Sequence, residues 1–288
     1  MSTGVNTVPQ TFRTQFNDEF RQDFDRTKSL LRKTVRSNGV AMGEFARFDV
    51  VDPADEAQER GRDGKIPISQ LGLSHVDAQI REHYKKYRID SFDLFRGNPN
   101  TRTAMSMRGV GSVNKAIDNL IIQELDTTTV EVSASAAILS TLAAVTDWVV
   151  RLWENDVPQD GRVWGVITPK AQMQMLRINE YKSSDFIRIE DKPVAQMSMP
   201  DQGYRSWLGV KWLTHTGLTG TKNASANCYI YHEDAIAHMI DGDPYMHTYF
   251  DEDEDRFGCW VRARHAARVC LPRGIVRFRH NDTTPLTA

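Results

Sequence analysis

Residues 249–280 concentrate opposed charges near the C-terminal end of the sequence. Five consecutive acidic residues, Asp251 to Asp255, precede seven arginines, and this stretch contains no lysine. Carboxylates in a row can bind a metal ion, arginines can bind nucleic-acid phosphates, and opposed charges can join two protein surfaces. The segment therefore gives three hypotheses: a metal loop, a nucleic-acid groove or an interface between subunits.

The metal hypothesis is tested by ligand spacing. Asp251 begins a D-x-D-x-D pattern, but Arg256 occupies the glycine position of a calcium loop and Arg262 the position of its bidentate glutamate. In HEDAIAH (232–238) the two histidines are six residues apart, whereas zinc ligands on one helical face need a spacing of four. The 3 cysteines form no CxxC pair. We expect no metal ligands, although a loose surface cation site on the acidic run stays open.

Catalytic and cofactor motifs give no positive signal. GVGSVN (109–114) has two of the three glycines of a dinucleotide-binding turn, but it lies inside a predicted helix. The sequence has no GxSxG, no Walker loop and no nucleophile with a local base signature. We therefore expect a protein that is not an enzyme, with no catalytic residue and no cofactor.

The arginines fall on shared strand faces. In CWVRAR, Arg262 and Arg264 lie on one face of a strand, and in GIVRFRH, Arg277 and Arg279 do the same. Arginine suits planar, bidentate pairing with carboxylates or phosphates. Bound DNA fits this stripe of arginines but does not fit the acidic residues beside it.

The acidic run needs a neutralising partner because like charges in a row repel one another. If residues 246–255 pair antiparallel with 257–268, then Asp251, Asp253 and Asp255 face basic groups of their own chain. Alternatively, a neighbouring copy presents the arginines and sets the register between two subunits. The sequence leaves both arrangements open.

Four phenylalanines near the N-terminus are spaced at strict steps of four: Phe12, Phe16, Phe20 and Phe24. On an α-helix they form one apolar stripe, and the charged residues between them have both signs. This helix packs on its own domain or docks on another copy.

The elements that position these residues follow from periodicity and turn signals. A polar stretch, DPADEAQERGRDGKIP (52–67), interrupts extended segments within 40–95 and predicts a protruding loop. Asn98-Pro99 predicts the start of a long helix that ends near Leu125, and a second helix is expected over 133–155. RVWGVITPKAQMQML (162–176) predicts a strand followed by a short helix, and residues 209–215 and 227–232 predict strands. The layout is α+β, with strands from both ends of the chain expected in one sheet.

The overall composition is that of an ordinary globular protein. The chain has 288 residues, 40% hydrophobic and 26% charged, with a net charge of -2. No stretch is apolar enough to span a membrane, and the N-terminus lacks a signal pattern. We expect no membrane association and a cytoplasm-like compartment.

Three segments carry a resemblance to a known family: QFNDEFRQDFDRTKSLLRKTVR (15–36), EAQERGRDGKIPI (56–68) with the alternating segment after it, and NPNTRTAMSMRGVGSVNKAIDNLII (98–122). Together with the closing hydrophobic-basic strands, they resemble the major capsid proteins of tailed bacteriophages, which have the Hong Kong 97-like fold. The resemblance covers most of the chain as an order of elements.

This resemblance implies a domain organisation. Residues 1–36 would form the N-terminal arm, and 37–96 the extended β loop with its flanking strands. Residues 97–132 plus 241–288 would form the peripheral domain with its spine helix, and 133–240 the axial domain.

The resemblance also implies partners and a location. The subunit would form hexamers and pentamers of an icosahedral head around double-stranded DNA, which it would contact non-specifically on the inner face. A long N-terminal delta region is missing, which implies a separate scaffolding protein, and a portal is a further partner; a decoration protein stays open. Assembly in the host cytoplasm and a final place in the virion follow.

The candidate interface residues combine both lines of reasoning. Lys65 lies where a cross-linking lysine of the family could stand, although a solvated lysine is the simpler interpretation. The residues expected at subunit interfaces are Phe12, Phe16, Phe20, Phe24, Arg60, Arg62, Lys65, Asp251, Asp253, Asp255, Arg262, Arg264, Arg277 and Arg279. The alternatives are an encapsulin-like nanocompartment shell, an α+β enzyme and a DNA-binding module.

Overall fold

The computed structural model describes residues 28–51, 59, 62, 64, 72–92, 101–133, 135–182, 204–242 and 244–286. These residues form two compact units. The first unit contains the described parts of 1–29, 81–118 and 240–265, and the second those of 30–80, 119–239 and 266–288.

The helices of the described residues are α1 (Thr101–Asp126), α2 (Leu142–Trp153), α3 (Pro169–Met175) and α4 (Asn179–Lys182). Helix α1 confirms the predicted long helix, and its buried residues Val113, Ile117 and Leu120 keep the predicted spacing. Helix α3 follows a strand directly, as predicted, with Pro169 at its start and the Thr168 hydroxyl accepting a hydrogen bond from the Ala171 amide.

The second predicted helix is shorter than expected. It begins at Leu142 instead of residue 133, because Thr141 caps it. The residues before the cap bond to the last strand instead: the amide of Val132 donates to Arg277 and that of Ala137 to Arg279. Helix periodicity in the sequence cannot reveal this competing partner, since the strand lies about 140 residues away in the sequence.

Thirteen strands are described, in three sheets. They are β1 (Arg36–Ser37), β2 (Val40–Met42), β3 (Phe45–Val51), β4 (Leu73–Gln79), β5 (Arg81–Asp90), β6 (Val163–Ile167), β7 (Tyr204–Trp207), β8 (Val210–Thr214), β9 (Ala226–His232), β10 (Ile236–Ile240), β11 (Tyr245–Asp251), β12 (Arg256–Val269) and β13 (Ile275–His280).

In the first unit, β12 lies between β5 and β11 and pairs antiparallel with both. Cys259 stands opposite Thr248 on one side and Tyr87 on the other. Of the two arrangements that the sequence left open for the acidic segment, the antiparallel pairing with the segment that follows it is present. The N-terminal half of α1 packs on one face of this sheet, where Gly109 allows a close approach to Val261.

The main sheet of the second unit has the strand order β13-β9-β6-β8-β7. Only β6 and β8 run parallel; the other neighbours are antiparallel. Its core centres on Trp148 of α2, whose ring lies 5.2 Å from Phe278 and 5.7 Å from Trp212. The indole of Trp148 donates to the Val276 carbonyl at 3.1 Å, so its polar atom is satisfied inside the core.

A smaller sheet in the second unit has the order β2-β3-β4. Strands β3 and β4 pair on either side of the predicted polar excursion, with Val51 opposite Leu73. Ala46, Phe48 and Ala78 bury their side chains in a small cluster with Ala237 and Ala266. Strand β1 pairs parallel with β10, which confirms that strands from distant parts of the chain meet.

The two compact units divide the chain at other positions than the domains expected from the resemblance, whose boundaries stay a prediction. Residues 119–132 belong to the second unit, and so do 266–288. The reason for the latter is β13, which pairs with β9 and so joins the sheet built from 163–232. Among the described residues, no helix is long and apolar enough to cross a membrane.

Candidate subunit-interface site

The sheet of the first unit has two different faces, because successive residues of β12 point to opposite sides. Cys259, Val261 and Ala263 are buried. Two contacts place α1 on this side: Ser106 lies 3.9 Å from the Cys259 sulfur, and Ser112 lies 3.4 Å from the Tyr87 hydroxyl. The residues of β12 that alternate with these buried ones, including Arg262 and Arg264, face outward and are partly exposed.

The outward side carries aromatic rings around Trp260. The rings of Tyr84, Tyr245 and His247 lie 6.3, 5.6 and 5.5 Å from it. We call this surface the aromatic–cationic face and define it by Tyr84, Lys86, Tyr245, His247, Trp260 and Arg262. The Arg262 guanidinium lies 5.3 Å from the Tyr245 ring and 5.7 Å from Trp260. These distances allow cation–π attraction.

Lys86 completes this face. Its ammonium lies 5.0 Å from the ring centre of Tyr249 on β11, the strand that borders β12 on the side away from β5. Hydrogen bonding from Lys86, and then from Arg88, lowers the pKa of the Tyr249 phenol. The cation thus finds aromatic and phenolic partners on this sheet.

Arg264 is neutralised within the chain. Its guanidinium bonds Glu82 on β5 and lies 3.7 Å from Asp241. Hydrogen bonds from Tyr84 and Arg264 lower the pKa of the Glu82 carboxyl. The predicted face-sharing of Arg262 and Arg264 is confirmed, but the two side chains have different surroundings.

The acidic turn, which we define as residues 251–255, joins β11 to β12. Glu254 lies 3.1 Å from both Arg256 and Arg88, and Asp255 bonds the Ser91 hydroxyl. Asp251 stands opposite Arg256 in the antiparallel register. Part of the acidic run is therefore neutralised within the chain, as one of the two open arrangements predicted.

Glu252 and Asp253 differ from these three acids. Both are exposed, and neither makes an ion pair or hydrogen bond with another described residue. Asp255 has a positive φ of 48°, a left-handed backbone conformation that aspartate tolerates at a tight turn. The turn thus presents two carboxylates to solvent at its tip.

Arg277 and Arg279 share one acceptor in the second unit. The Glu131 carboxylate bonds Arg277, and its Oε2 lies 2.9 Å from the Arg279 Nε. Burial raises the pKa of Glu131, but hydrogen bonds from Arg277 and Arg279 outweigh it, so the pKa is lowered. Both guanidinium groups are therefore neutralised within the chain. Their place at a subunit interface stays a prediction.

Most of the remaining residues predicted to lie at an interface cannot be placed. Phe12, Phe16, Phe20, Phe24, Arg60 and Lys65 lie outside the described residues. Arg62 is described and exposed. Their interface roles stay predictions.

The small sheet contributes residues that sequence reasoning missed. Its exposed side carries a set of apolar side chains that we call the apolar hairpin face: Val40, Met42, Phe45, Val51 and Leu73. The Arg47 guanidinium lies 2.9 Å from Asp77 between its two ends. Alternation of apolar and polar residues in β3 was the available signal, but it does not say which face is buried.

Other residues were missed because their partners are distant in the sequence. Glu82 and Glu131 contact arginines 182 and 146 residues away. Trp260 and Lys86 lie in segments that were predicted to be extended, yet only the register between β5 and β12 places them opposite each other. No local motif could have found these pairs.

Buried polar clusters elsewhere serve the fold. Asp126 accepts hydrogen bonds from Thr219, Asn227 and Tyr229, which fastens the end of α1 within the second unit. Asp282 accepts from Thr168 and contacts His280, both at 2.7 Å. Across the described ranges, no group of three metal-ligating side chains is close enough to hold a metal ion.

The exposed charged and apolar faces suit protein association, and sequence comparison is consistent with this. A model of the phage capsid protein family matches residues 8–282. The chain belongs to the phage capsid protein family. No curated protein sequence matches this capsid protein.

Solved structures give the fold of the capsid protein. A chain of Mycobacterium phage Che8 superposes with a TM-score of 0.65 at 15% identity, covering 90% of this chain and 93% of that one. The mature capsid of bacteriophage PhiM1 gives 0.64 at 12% identity, with 93% and 92% covered. A virus-like particle from Pyrococcus furiosus gives 0.57 at 16% identity, with 88% and 92% covered.

The capsid protein therefore has the α+β, Hong Kong 97-like fold that the sequence predicted. Its family assigns it a structural role as a self-assembling shell component of the virion head. The exposed faces described above are accordingly candidate surfaces for contacts between subunits.

Proposed function

We propose that the protein is the major capsid subunit of a tailed bacteriophage. In this proposal it forms hexamers and pentamers of an icosahedral head around double-stranded DNA. The family match over residues 8–282 carries the proposal. The physical mechanism is geometric: many modest contacts between identical copies sum through multivalency, and head-to-tail contacts close into rings and shells.

The described units support a division of labour within the subunit. The first unit, with the N-terminal half of α1 and the sheet β5–β12–β11, would be the core of the peripheral domain. The main sheet of the second unit would be the axial domain, and the small sheet the base of the extended loop. The exposed apolar hairpin face supports the loop's role, because apolar area of this kind is stabilised when a neighbour covers it.

Other partners belong to the same proposal. A separate scaffolding protein would guide assembly in the host cytoplasm, and a portal would occupy one vertex. Packaged DNA would lie against the inner face without sequence specificity. The arm (1–36) would reach an adjacent subunit through its phenylalanines.

The test is particle formation. The chain is expressed with and without its scaffold, and light scattering measures particle mass while negative-stain images show particle shape. Closed megadalton shells are expected. A persistent monomer or dimer in both conditions contradicts the proposal and favours an α+β enzyme.

A protein-filled nanocompartment is the second candidate. The shared fold of the Pyrococcus furiosus virus-like particle favours it, although that likeness carries the fold alone. The content of purified shells separates the two: nuclease-protected DNA supports the phage head, whereas a stoichiometric protein cargo supports the nanocompartment.

A further inference from the structure

Two pairs of opposite charges in the described part of the first unit form no ion pair, although Arg262 lies close enough to Glu82 to help lower the pKa of that carboxyl. Lys86 and Arg262 lie on the aromatic–cationic face, and within the described residues neither has a carboxylate at ion-pair distance. Glu252 and Asp253 lie at the tip of the acidic turn, and both are exposed. The neighbouring arginines form ion pairs within the chain: Arg88 and Arg256 share Glu254, and Arg264 bonds Glu82.

The two pairs do not neutralise each other among the described residues of one chain. Arg262 lies six residues along β12 from Arg256, where the turn ends, a distance of roughly 20 Å at about 3.3 Å per residue. Lys86 stands opposite Trp260, which is four residues from Arg256, or roughly 13 Å. No ion pair joins the two pairs among the described residues, which leaves a second copy of the chain as a candidate partner.

The aromatic–cationic face is organised to receive carboxylates. Lys86 and Arg262 are diagonal neighbours on one side of adjacent strands, a spacing of roughly 7–8 Å. Aromatic rings beside both cations restrict their positions without neutralising their charge. Glu252 and Asp253 are consecutive, so their carboxylates are presented together.

Nucleic acid fits this surface less well than a protein carboxylate does. The same sheet carries the five acids of the acidic turn together with Glu82 and Asp90, and these repel phosphates. A second copy of the chain supplies an acidic turn of matching charge, and it is present at high local concentration in a shell.

We propose that Glu252 and Asp253 of one subunit bind Lys86 and Arg262 of a neighbouring subunit, with the acidic turn seated beside the Trp260 ring. This inference rests on the proposed capsid function. Each subunit gives one turn and receives another, so the contact is head-to-tail and propagates from copy to copy. Charge complementarity at this contact sets the register between subunits.

The test uses charge reversal in the full chain with its scaffold. One variant carries Lys86→Glu and Arg262→Glu, and a second carries Glu252→Lys and Asp253→Lys. Each is expected to lower the fraction of protein in shells by about tenfold or more, because the like charges repel at every repeat of the contact. The thermal melt of the unassembled subunit is the folding control, and only a fall of a few degrees is expected in the first variant, because the cations lose aromatic contacts but no ion pair among the described residues.

Two rescue measurements identify the contact as intermolecular. The variant with all four substitutions is expected to regain shells, because both sides of the contact have changed sign. An equimolar mixture of the two double variants is also expected to regain them, since each now presents a turn that matches the other's face. Lys85→Glu is the matched control, because Lys85 lies on the opposite side of β5 beside Tyr87.

Several results would overturn the inference. If the double variants gave the same shell yield as the wild type, the proposed contact would not contribute to assembly. Closed shells that have lost only DNA would assign the face to nucleic acid instead. Failure of the wild type to form any shell with scaffold would refute the proposed function itself, and the inference would fall with it.

Discussion

At the scale of single residues, the Glu131 carboxylate neutralises two arginines that were predicted to lie at a subunit interface. It lies between Arg277 and Arg279, and its side chain is 21% exposed. The bridge between residue 131 and β13 also continues through the backbone, where Val132 donates to Arg277. The ion pair therefore fastens the start of the 131–137 segment to the last strand.

Replacing Glu131 with glutamine is expected to destabilise the subunit. The amide keeps one acceptor but removes the charge, which leaves two partly buried guanidinium groups without a counterion. The free energy of unfolding should fall by about 1–3 kcal/mol, measured by urea denaturation of unassembled protein.

Glu154→Gln is the control for this change. Glu154 forms an exposed pair with Arg151 at 3.5 Å, and the expected loss is about 0.5 kcal/mol or less. Equal losses in both variants would mean that the Glu131 cluster contributes no more than a surface pair.

A second residue, His280, makes the stability of the second unit depend on pH. It is fully buried between Asp282 and Gln174, at 2.7 and 2.8 Å. Burial lowers the pKa of the imidazole, and the opposing effect of Asp282 does not restore it. As the pH falls below the unfolded value of about 6.5, the unfolded chain binds the proton more readily than the folded one.

The stability contributed by neutral His280 is therefore present above about pH 6.5 and is lost below it. Urea midpoints measured between pH 7.5 and 5 are expected to fall less steeply in His280→Gln than in the wild type. His75→Gln, at an exposed position of β4, is the matched control for replacing a histidine with glutamine. An unaltered slope in His280→Gln would contradict the assignment.

At the scale of elements, the packing of α1 on β12 depends on one glycine. A β-carbon at Gly109 would lie 2.7 Å from Cγ2 of Val261, which is fully buried and cannot move freely. The helix therefore approaches the sheet more closely than any other residue type would permit.

Gly109→Ala tests this approach. Alanine favours the helix by about 1 kcal/mol, but overpacking against Val261 is expected to cost about 1–3 kcal/mol, so net destabilisation should result. In a double-mutant cycle, Val261→Ala should relieve the clash and give a coupling energy of about 1 kcal/mol or more. Additive effects would show that the helix shifts without cost.

The elements also show what the sequence could and could not predict. Local signals found α1, α3 and the strands near 163–167, 210–214 and 226–232, because periodicity, caps and turn residues are short-range properties. The start of α2 was wrong because residues 132–137 bond to a strand far along the chain. The placement of β13 beside β9 depends on the same long-range pairing.

The candidate site followed the same rule. The charges of residues 251–264 were visible in the sequence, and the antiparallel pairing of β11 with β12 was one of two arrangements that the sequence left open. Which of these charges form ion pairs within the chain could not be predicted. That depends on Glu82, Lys86 and Arg88 of β5, which only the folded register brings alongside.

At the scale of the whole molecule, the capsid protein must remain a folded subunit before assembly and gain its contacts afterwards. Apolar side chains that stay exposed in the described part of the chain, such as those of the apolar hairpin face, fit this need. The phenylalanines of the N-terminal arm are expected to act in the same way.

Replacing Phe16 and Phe20 together with serine is expected to block shell formation and leave a folded monomer. The change removes two large apolar groups from the stripe that is predicted to dock on a neighbour. Light scattering measures assembly and circular dichroism measures folding. Unchanged assembly would show that the stripe lies inside its own subunit or has no role in it.

The division of the chain between its two units has a consequence for proteolysis. The chain passes from one unit to the other five times. It crosses between elements at 29/30 and 80/81, and inside α1, β10 and β12 at 118/119, 239/240 and 265/266. A protease needs several residues of unfolded, accessible backbone, and hydrogen-bonded helices and strands do not supply them. Limited digestion should therefore cut at exposed turns such as 252–253 and leave the three crossings inside α1, β10 and β12 intact, so neither unit would be released as a separate fragment.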